Sequence, residues 1–177
     1  MRRKSLILAC LSALGLCSIA PAQKLNPIQW ELAVEPAAAP PGAAIQAKLT
    51  GKLEPGWHLY SLSTPKGGPI ATTINIAPDA AIAGVRIFQP KPYKKFDENF
   101  QLETETYEGE PVFLLEIRTA QAASAGLADI TAQMRYQLCT DKQCLPPRKA
   151  TATAKLKIDP AAPGAALAIP AGYTEFQ

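Results

Sequence analysis

The sequence predicts an all-β domain, an immunoglobulin-like antiparallel β-sandwich, on three observations. Apolar and polar residues alternate with a period of two through most of the chain, the pattern of half-buried strands. Gly- and Pro-rich clusters fall between the alternating runs, where turns are needed. No long run carries the three-to-four spacing of an amphipathic helix.

Taken in order, Trp30, Leu32 and Val34 form the first alternating run, and Ile45, Ala47 and Leu49 the second, beyond Pro40-Pro41-Gly42. Trp57 to Ser61 follows the turn residues Glu54-Pro55-Gly56, and Thr72 to Ile76 follows Lys66-Gly67-Gly68-Pro69. Val85 to Phe88 is a short candidate; Phe113, Leu115 and Ile117 come after Glu108-Gly109-Glu110-Pro111. The clearest run is Ile130, Ala132, Met134, Tyr136 and Leu138, interleaved with Thr131, Gln133, Arg135 and Gln137. Ala152, Ala154, Leu156 and Ile158 supply the last strand. About eight short strands at this spacing suit a sandwich. The Cys–Trp–Cys signature of antibody domains is missing, because the late cysteines sit together.

Two segments break the pattern. Gln89 to Glu108 reads as a long polar connection carrying Pro90, Pro92, Tyr93, Phe96 and Phe100; loops of that length are functional or mobile. Residues 160–177 are rich in Ala, Pro and Gly and read as a tail, with Tyr173 and Phe176 available to dock.

The first residues read as a secretory signal over 1–22, followed by one domain over 23–159. Arg2, Arg3 and Lys4 precede an apolar run from Ser5 to Ile19, and Ala20-Pro21-Ala22 offers a small-x-small cleavage pattern. That run is short for a permanent membrane helix. The product is therefore expected to be exported, periplasmic or equivalent, and soluble. Cys10 and Cys17 are poor lipidation sites: Leu16 is bulky, and few apolar residues precede Cys10.

Three of the 18 Lys and Arg lie in that leader, so the remainder balances its 15 acidic residues. A neutral domain lacks the clustered cationic footprint of nucleic-acid binding, and no nucleic-acid partner is expected. Of the four cysteines only Cys139 and Cys144 lie beyond the leader. In an oxidising compartment two thiols this close are expected to pair. A structural zinc site wants four Cys or His ligands, and the exported part offers two cysteines and His58. Blue-copper and haem-attachment patterns are absent too. Neither a metal nor any other cofactor is expected.

The alternating run ends in Tyr136-Gln137-Leu138-Cys139, and Thr140-Asp141-Lys142-Gln143 leads to Cys144-Leu145-Pro146-Pro147. A four-residue loop is a common hairpin length, which places the cysteines opposite each other at its base. Facing Cα atoms lie about 4.5 or 5.5 Å apart in antiparallel pairs, within disulfide range. If even-numbered residues of the run face the core, Cys139 points outward, where another protein's thiolate reaches it. Pro146-Pro147 interrupts pairing just beyond. Two roles stay open at this point. A staple closing so short a loop contributes only about 2 kcal/mol, and an outward bridge serves equally as an exchange group. Lys142, Arg148 and Lys149 favour a thiolate if they lie near it, although each reads first as solvated surface charge. His58 reads as a strand residue, exposed or hydrogen-bonded, ahead of a catalytic base.

Three stretches then become familiar: Gly56-Trp57-His58-Leu59-Tyr60; Asp97-Glu98-Asn99-Phe100 leading to Tyr107-Glu108-Gly109; and Tyr136 through Pro147. Over residues 26–158 the chain resembles the N-terminal periplasmic domain of the thiol:disulfide interchange protein DsbD, the disulfide bond corrector family. The resemblance implies an immunoglobulin-like sandwich with a redox-active cysteine pair. It implies partners as well: thioredoxin-like redox proteins, disulfide-bearing periplasmic proteins, and a membrane electron carrier, with the domain itself monomeric. By the same resemblance Cys144 forms mixed disulfides, Cys139 resolves them, and Phe100 caps the pair, with Phe96 a close alternative. Tyr60, Asp97 and Glu98 then line the site. Two departures stand out. The cysteines are one residue closer than in the best-known member, and the membrane carrier and C-terminal thioredoxin-like domain of full DsbD are not in this sequence. The activity expected is thiol:disulfide oxidoreductase, with cytochrome c maturation as one setting. The rival is a non-catalytic binding sandwich that presents Trp30, Trp57 and Tyr107.

Overall fold

The computed structural model describes residues 25–165 and 167–176; the proposed signal, 1–22, lies outside them. Thirteen strands form and, among the described residues, no helix. They are β1 (Ile28–Glu35), β2 (Ala38–Ala39), β3 (Ala44–Leu53), β4 (His58–Tyr60), β5 (Thr73–Ile76), β6 (Ile82–Pro90) and β7 (Tyr93–Asp97). Then follow β8 (Leu102–Tyr107), β9 (Val112–Thr119), β10 (Gly126–Tyr136), β11 (Leu138–Cys139), β12 (Arg148–Ile158) and β13 (Tyr173–Phe176). No helix here is long and apolar enough to cross a membrane.

Two sheets enclose the core. One has the order β1-β3-β9-β6-β13 and the other β2-β12-β10-β5. All pairs are antiparallel except the short β2–β12 contact. Alternation decides what each strand contributes: Ile45, Ala47 and Leu49 of β3 and Ile130, Ala132, Met134 and Tyr136 of β10 are buried, as the period-two pattern predicts. They join Leu32, Leu115, Ile117, Leu156 and Ile158 in one apolar cluster. At one end of it Trp30 and Tyr136 meet edge-on at 5.5 Å, and Phe113 meets Tyr107 edge-on at 5.5 Å, the arrangement aromatic quadrupoles favour. Trp57 and Tyr107 are buried and Trp30 packs against the same cluster. The aromatics of the rival binding reading are therefore core residues.

A third sheet, ordered β11-β4-β8-β7, extends this end. It corrects two expectations. The supposed loop Gln89–Glu108 contains β7 and β8, paired from Tyr93↔Thr106 to Asp97↔Leu102. Its buried positions are Asp97, Thr104, Thr106 and Tyr107, mostly polar, so backbone pairing holds the hairpin with little apolar alternation to reveal it. The run Ile130–Leu138 is not one strand: it stops at Tyr136, and Leu138–Cys139 pairs in the other sheet with Leu59 and His58. Beyond residue 160 the chain returns as β13 along β6, from Tyr173↔Pro90 to Phe176↔Ile87.

The turn before β4 sits as its residues dictate. Pro55 fixes φ at the second position, and Gly56 takes φ +82° at the third, a value that glycine tolerates. The Trp57 N–H donates to the Glu54 carbonyl at 3.2 Å, launching His58 and Tyr60 into the third sheet.

Phe113 is fully buried between Trp30 and Tyr107. Phe113→Ala is expected to lower unfolding free energy by about 3–5 kcal/mol, read as a shift in urea midpoint at unchanged slope.

Candidate functional site

The hairpin forms as its spacing predicts. Cys139 and Cys144 are an isolated antiparallel pair with Cα atoms 4.1 Å apart, joined by a disulfide of 2.05 Å. Thr140 N–H donates to the Gln143 carbonyl at 2.8 Å, and Leu145 N–H to the Leu138 carbonyl at 2.9 Å. The Thr140 hydroxyl accepts from the N–H groups of Lys142 and Gln143 at 3.2 and 3.1 Å, closing the tip as Thr commonly does in turns. Gln137 holds the base. Its Oε1 accepts from Ile70 N–H at 2.8 Å and its Nε2 donates to the Leu145 carbonyl at 3.3 Å.

The outward orientation expected for Cys139 is wrong. Cys139 is 0% exposed, whereas Cys144 is partly exposed. Strand parity does not carry across Gln137, because the chain leaves one sheet there and enters another. Tyr136, Leu138 and Cys139 are consequently all buried. Of the two bridged residues, Cys144 alone reaches the outside.

Beside the hairpin the structure gathers residues from three elements. Tyr60 on β4 is fully buried, and its hydroxyl donates to Asp97 Oδ2 at 2.5 Å. His58 Nε2 lies 3.3 Å from that hydroxyl. Phe100 is half-buried and meets the Tyr60 ring edge-on at 6.2 Å. Asp97, itself buried, ends β7 and builds the turn beyond it: Oδ1 accepts from Asn99 N–H at 2.9 Å, and its carbonyl from Gln101 N–H at 2.7 Å. Gln101 takes φ +56°, a left-handed conformation uncommon outside glycine. Tyr60, Asp97 and Phe100 are thus brought together, while Phe96 (55% exposed) and Glu98 stand on the rim.

The 98–101 turn and the β7 strand before it are tied to the cysteine hairpin from outside. Asn99 Nδ2 donates to the Thr140 carbonyl at 3.3 Å, and Lys95 Nζ pairs with Asp141 at 2.8 Å. Sequence reasoning missed these ties, since partners more than forty residues apart leave no local signal. His58, Lys95, Asp97 and Asp141 line a cleft of about 270 Å³ with Phe96, Glu98 and Asn99. Of the three cations considered earlier, Arg148 donates to Asn26, and Lys142 and Lys149 are exposed. No three His, Cys, Asp or Glu side chains converge as a metal site among the described residues.

Burial, reinforced by the hydrogen bond to Asp97, pushes the Tyr60 hydroxyl far above the usual phenol range. Burial also lowers the His58 pKa, against the opposing pull of the Asp97 charge.

Fold and site together define an immunoglobulin-like sandwich that carries a half-shielded hairpin disulfide at one end. The family model for the N-terminal domain of the thiol:disulfide interchange protein DsbD matches residues 27–156, and the chain belongs to that family. In DsbD this domain transfers reducing equivalents through its cysteines, and domains of the family interact with thioredoxin-like redox proteins. Among solved structures, the N-terminal periplasmic domain of ScsB from Proteus mirabilis is similar at TM-score 0.57 and 20% identity. The match covers 77% of this chain and 50% of that one, so this chain spans half its length. The reduced DsbD N-terminal domain of Neisseria meningitidis aligns at TM-score 0.45 and 17% identity, over 85% of this chain and 91% of that one. A comparison with curated proteins gave no match.

The lowered His58 pKa makes stability depend on pH. Unfolded chains take up the histidine proton near 6.5 and the folded state only below that, so stability is full above 6.5 and falls as pH drops from there toward the folded value. Urea midpoints are expected to fall between pH 7.5 and 5, and His58→Gln to flatten that part of the profile.

Proposed function

We propose that the chain performs thiol–disulfide exchange in an exported compartment, passing reducing equivalents between a thioredoxin-like or membrane-bound electron donor and exported substrate proteins. Its working groups are Cys139 and Cys144. The observation that supports this most is the asymmetry of the bridge: a buried Cys139 beside a partly exposed Cys144. A purely structural staple needs no such difference. In the exchange reading, a donor thiolate attacks Cys144 Sγ, the Cys139–Cys144 bond breaks, and the electron pair leaves on Cys139 as thiolate. A second donor thiolate then releases Cys144, giving the dithiol. Run the other way, Cys144 attacks a substrate disulfide, and Cys139 resolves the mixed disulfide by attacking Cys144.

Phe100 acts as the shield over the pair, a role its contact with Tyr60 favours over the more exposed Phe96. Tyr60 and Asp97 hold the base of the shield, and Glu98 stands at its rim. A docking partner displaces the 98–101 turn by competing for its outer ties.

Cys139→Ala leaves Cys144 without its resolving thiol, so exported thioredoxin-like proteins are expected to accumulate as mixed disulfides, separable on non-reducing gels. The wild-type pair should equilibrate with a thiol redox buffer at a potential above about −300 mV, the level below which structural bridges lie. A bridge that stays oxidised below that value, with nothing trapped, defeats the reading.

The ties of the turn are exposed and worth about 0–1 kcal/mol. Lys95→Ala combined with Asn99→Ala is therefore expected to speed reduction by dithiothreitol several-fold, with little change in melting temperature. An unchanged rate removes the turn from its gating role.

A further inference from the structure

The burial that protects Cys139 creates a difficulty for exchange. Each time Cys139 leaves the disulfide it becomes a thiolate with no solvent beside it, and each time it attacks it must first lose a proton. A side chain 0% exposed cannot trade that proton with water directly. Something next to it has to carry it.

His58 occupies that position. It stands directly opposite Cys139 in the β4–β11 pair, and directly opposed residues place their side chains on one face with Cβ atoms about 4.5–5.5 Å apart. Its other side lines the cleft shared with Lys95, Asp97 and Asp141, which opens to solvent. One residue therefore stands opposite the buried cysteine and lines a cleft that reaches water.

Hydrogen bonds fix its tautomer. A carboxylate accepts and does not donate, so the Tyr60 hydroxyl proton goes to Asp97 Oδ2 at 2.5 Å. The Tyr60 oxygen is left to accept from His58 Nε2–H, 3.3 Å away. Nδ1 then holds the lone pair and makes no hydrogen bond among the described residues. This is the logic by which an acid orients a histidine base, with a tyrosine placed between them.

We propose that His58 is the proton carrier of the exchange site, taking the Cys139 proton when that sulfur attacks and returning one when it leaves. The proposal rests on the exchange reading of the pair. In the resolving direction, His58 Nδ1 accepts the Cys139 proton and the thiolate attacks Cys144 Sγ. The Cys139–Cys144 bond forms, and the substrate departs as thiolate with the electron pair of the broken bond. In the opposite direction, the donor's thiolate bonds to Cys144, Cys139 leaves with the pair, and imidazolium His58 protonates it. His58 recovers its proton from solvent through the cleft.

Several groups around the ring set its charge balance. Asp97, Asp141 and Glu108 favour imidazolium, whereas burial and Lys95 oppose it. The ring rests neutral, ready to accept, and a Cys139 thiolate beside it makes the charged form less costly.

The test needs no mutation at first. His58 is the only histidine of the chain, so one imidazole signal reports it by NMR. Reducing the pair is expected to move its titration midpoint upward, because a thiol that ionises replaces a disulfide that does not. Identical midpoints in the oxidised and reduced protein overturn the proposal. The second measurement uses Cys144→Ala, where Cys139 alone titrates by thiolate absorbance. Adding His58→Gln is expected to leave about tenfold less thiolate at pH 7, equivalent to about one pKa unit. Adding Tyr60→Phe, which keeps the ring packing, is expected to act in the same direction and less strongly. A Cys139 titration indifferent to both changes overturns the proposal even if the pair exchanges normally with dithiols. A coupled titration in a pair that fails to exchange supports the coupling and sinks the exchange reading instead.

Discussion

Everything at the working end of this molecule depends on how the chain passes Gln137. One residue separates a strand of the sandwich from a strand of the third sheet, and its amide cannot be left unpaired at so enclosed a place. Gln137 resolves this by bonding in two directions, to the Ile70 N–H and to the Leu145 carbonyl. The first bond fixes the crossing against the segment before β5. The second fixes the return leg of the hairpin, so that Cys144 comes back opposite Cys139. Without the crossing, alternation carries on and turns Cys139 to solvent. With it, the two cysteines become chemically unequal although they are covalently paired.

That crossing also marks the limit of what the sequence reveals. Alternation in β10 and β12 reads correctly because each strand lies against one continuous core, so burial follows parity. Parity is a property of a single sheet and says nothing where a strand changes sheets, which is why the orientation of Cys139 was misread while the hairpin itself was not. The hairpin is local: Thr140 and a four-residue spacing suffice to predict it. The β7–β8 pair failed for a different reason. Its inward side chains include threonines, and polar strands leave no hydrophobic period. The Tyr60–Asp97 bond joins residues 37 apart. The family resemblance picked out both residues but gave no account of what each does for the other.

The proposed shield divides into a firm part and a loose part. Asp97 is buried and bonded to Tyr60 and to the turn it begins; loss of such a contact leaves a buried carboxylate unpaired, which is costly. Lys95–Asp141 and Asn99–Thr140 lie in water and cost little to break. A motion that releases the Asn99–Thr140 tie while keeping Asp97 in place therefore costs least. It pivots the segment after Asp97, where Gln101 already holds a left-handed backbone that the closed turn must maintain.

The same division explains why the proton and the electron pair need not follow one route. In the proposed exchange, electrons enter and leave at Cys144, and a partner docked there displaces water from that face. A proton path through that face would close at the moment the chemistry starts. The cleft beside His58 is lined by β7, by Glu98 and Asn99 of the turn and by Asp141 of the hairpin, with Asp97, which the opening motion leaves in place, at its base. In the proposed scheme burial of Cys139 costs the site little in rate, because its proton leaves through His58. It also confers a selectivity that an exposed pair lacks: small oxidants and thiols approach the bridge from the Cys144 side alone.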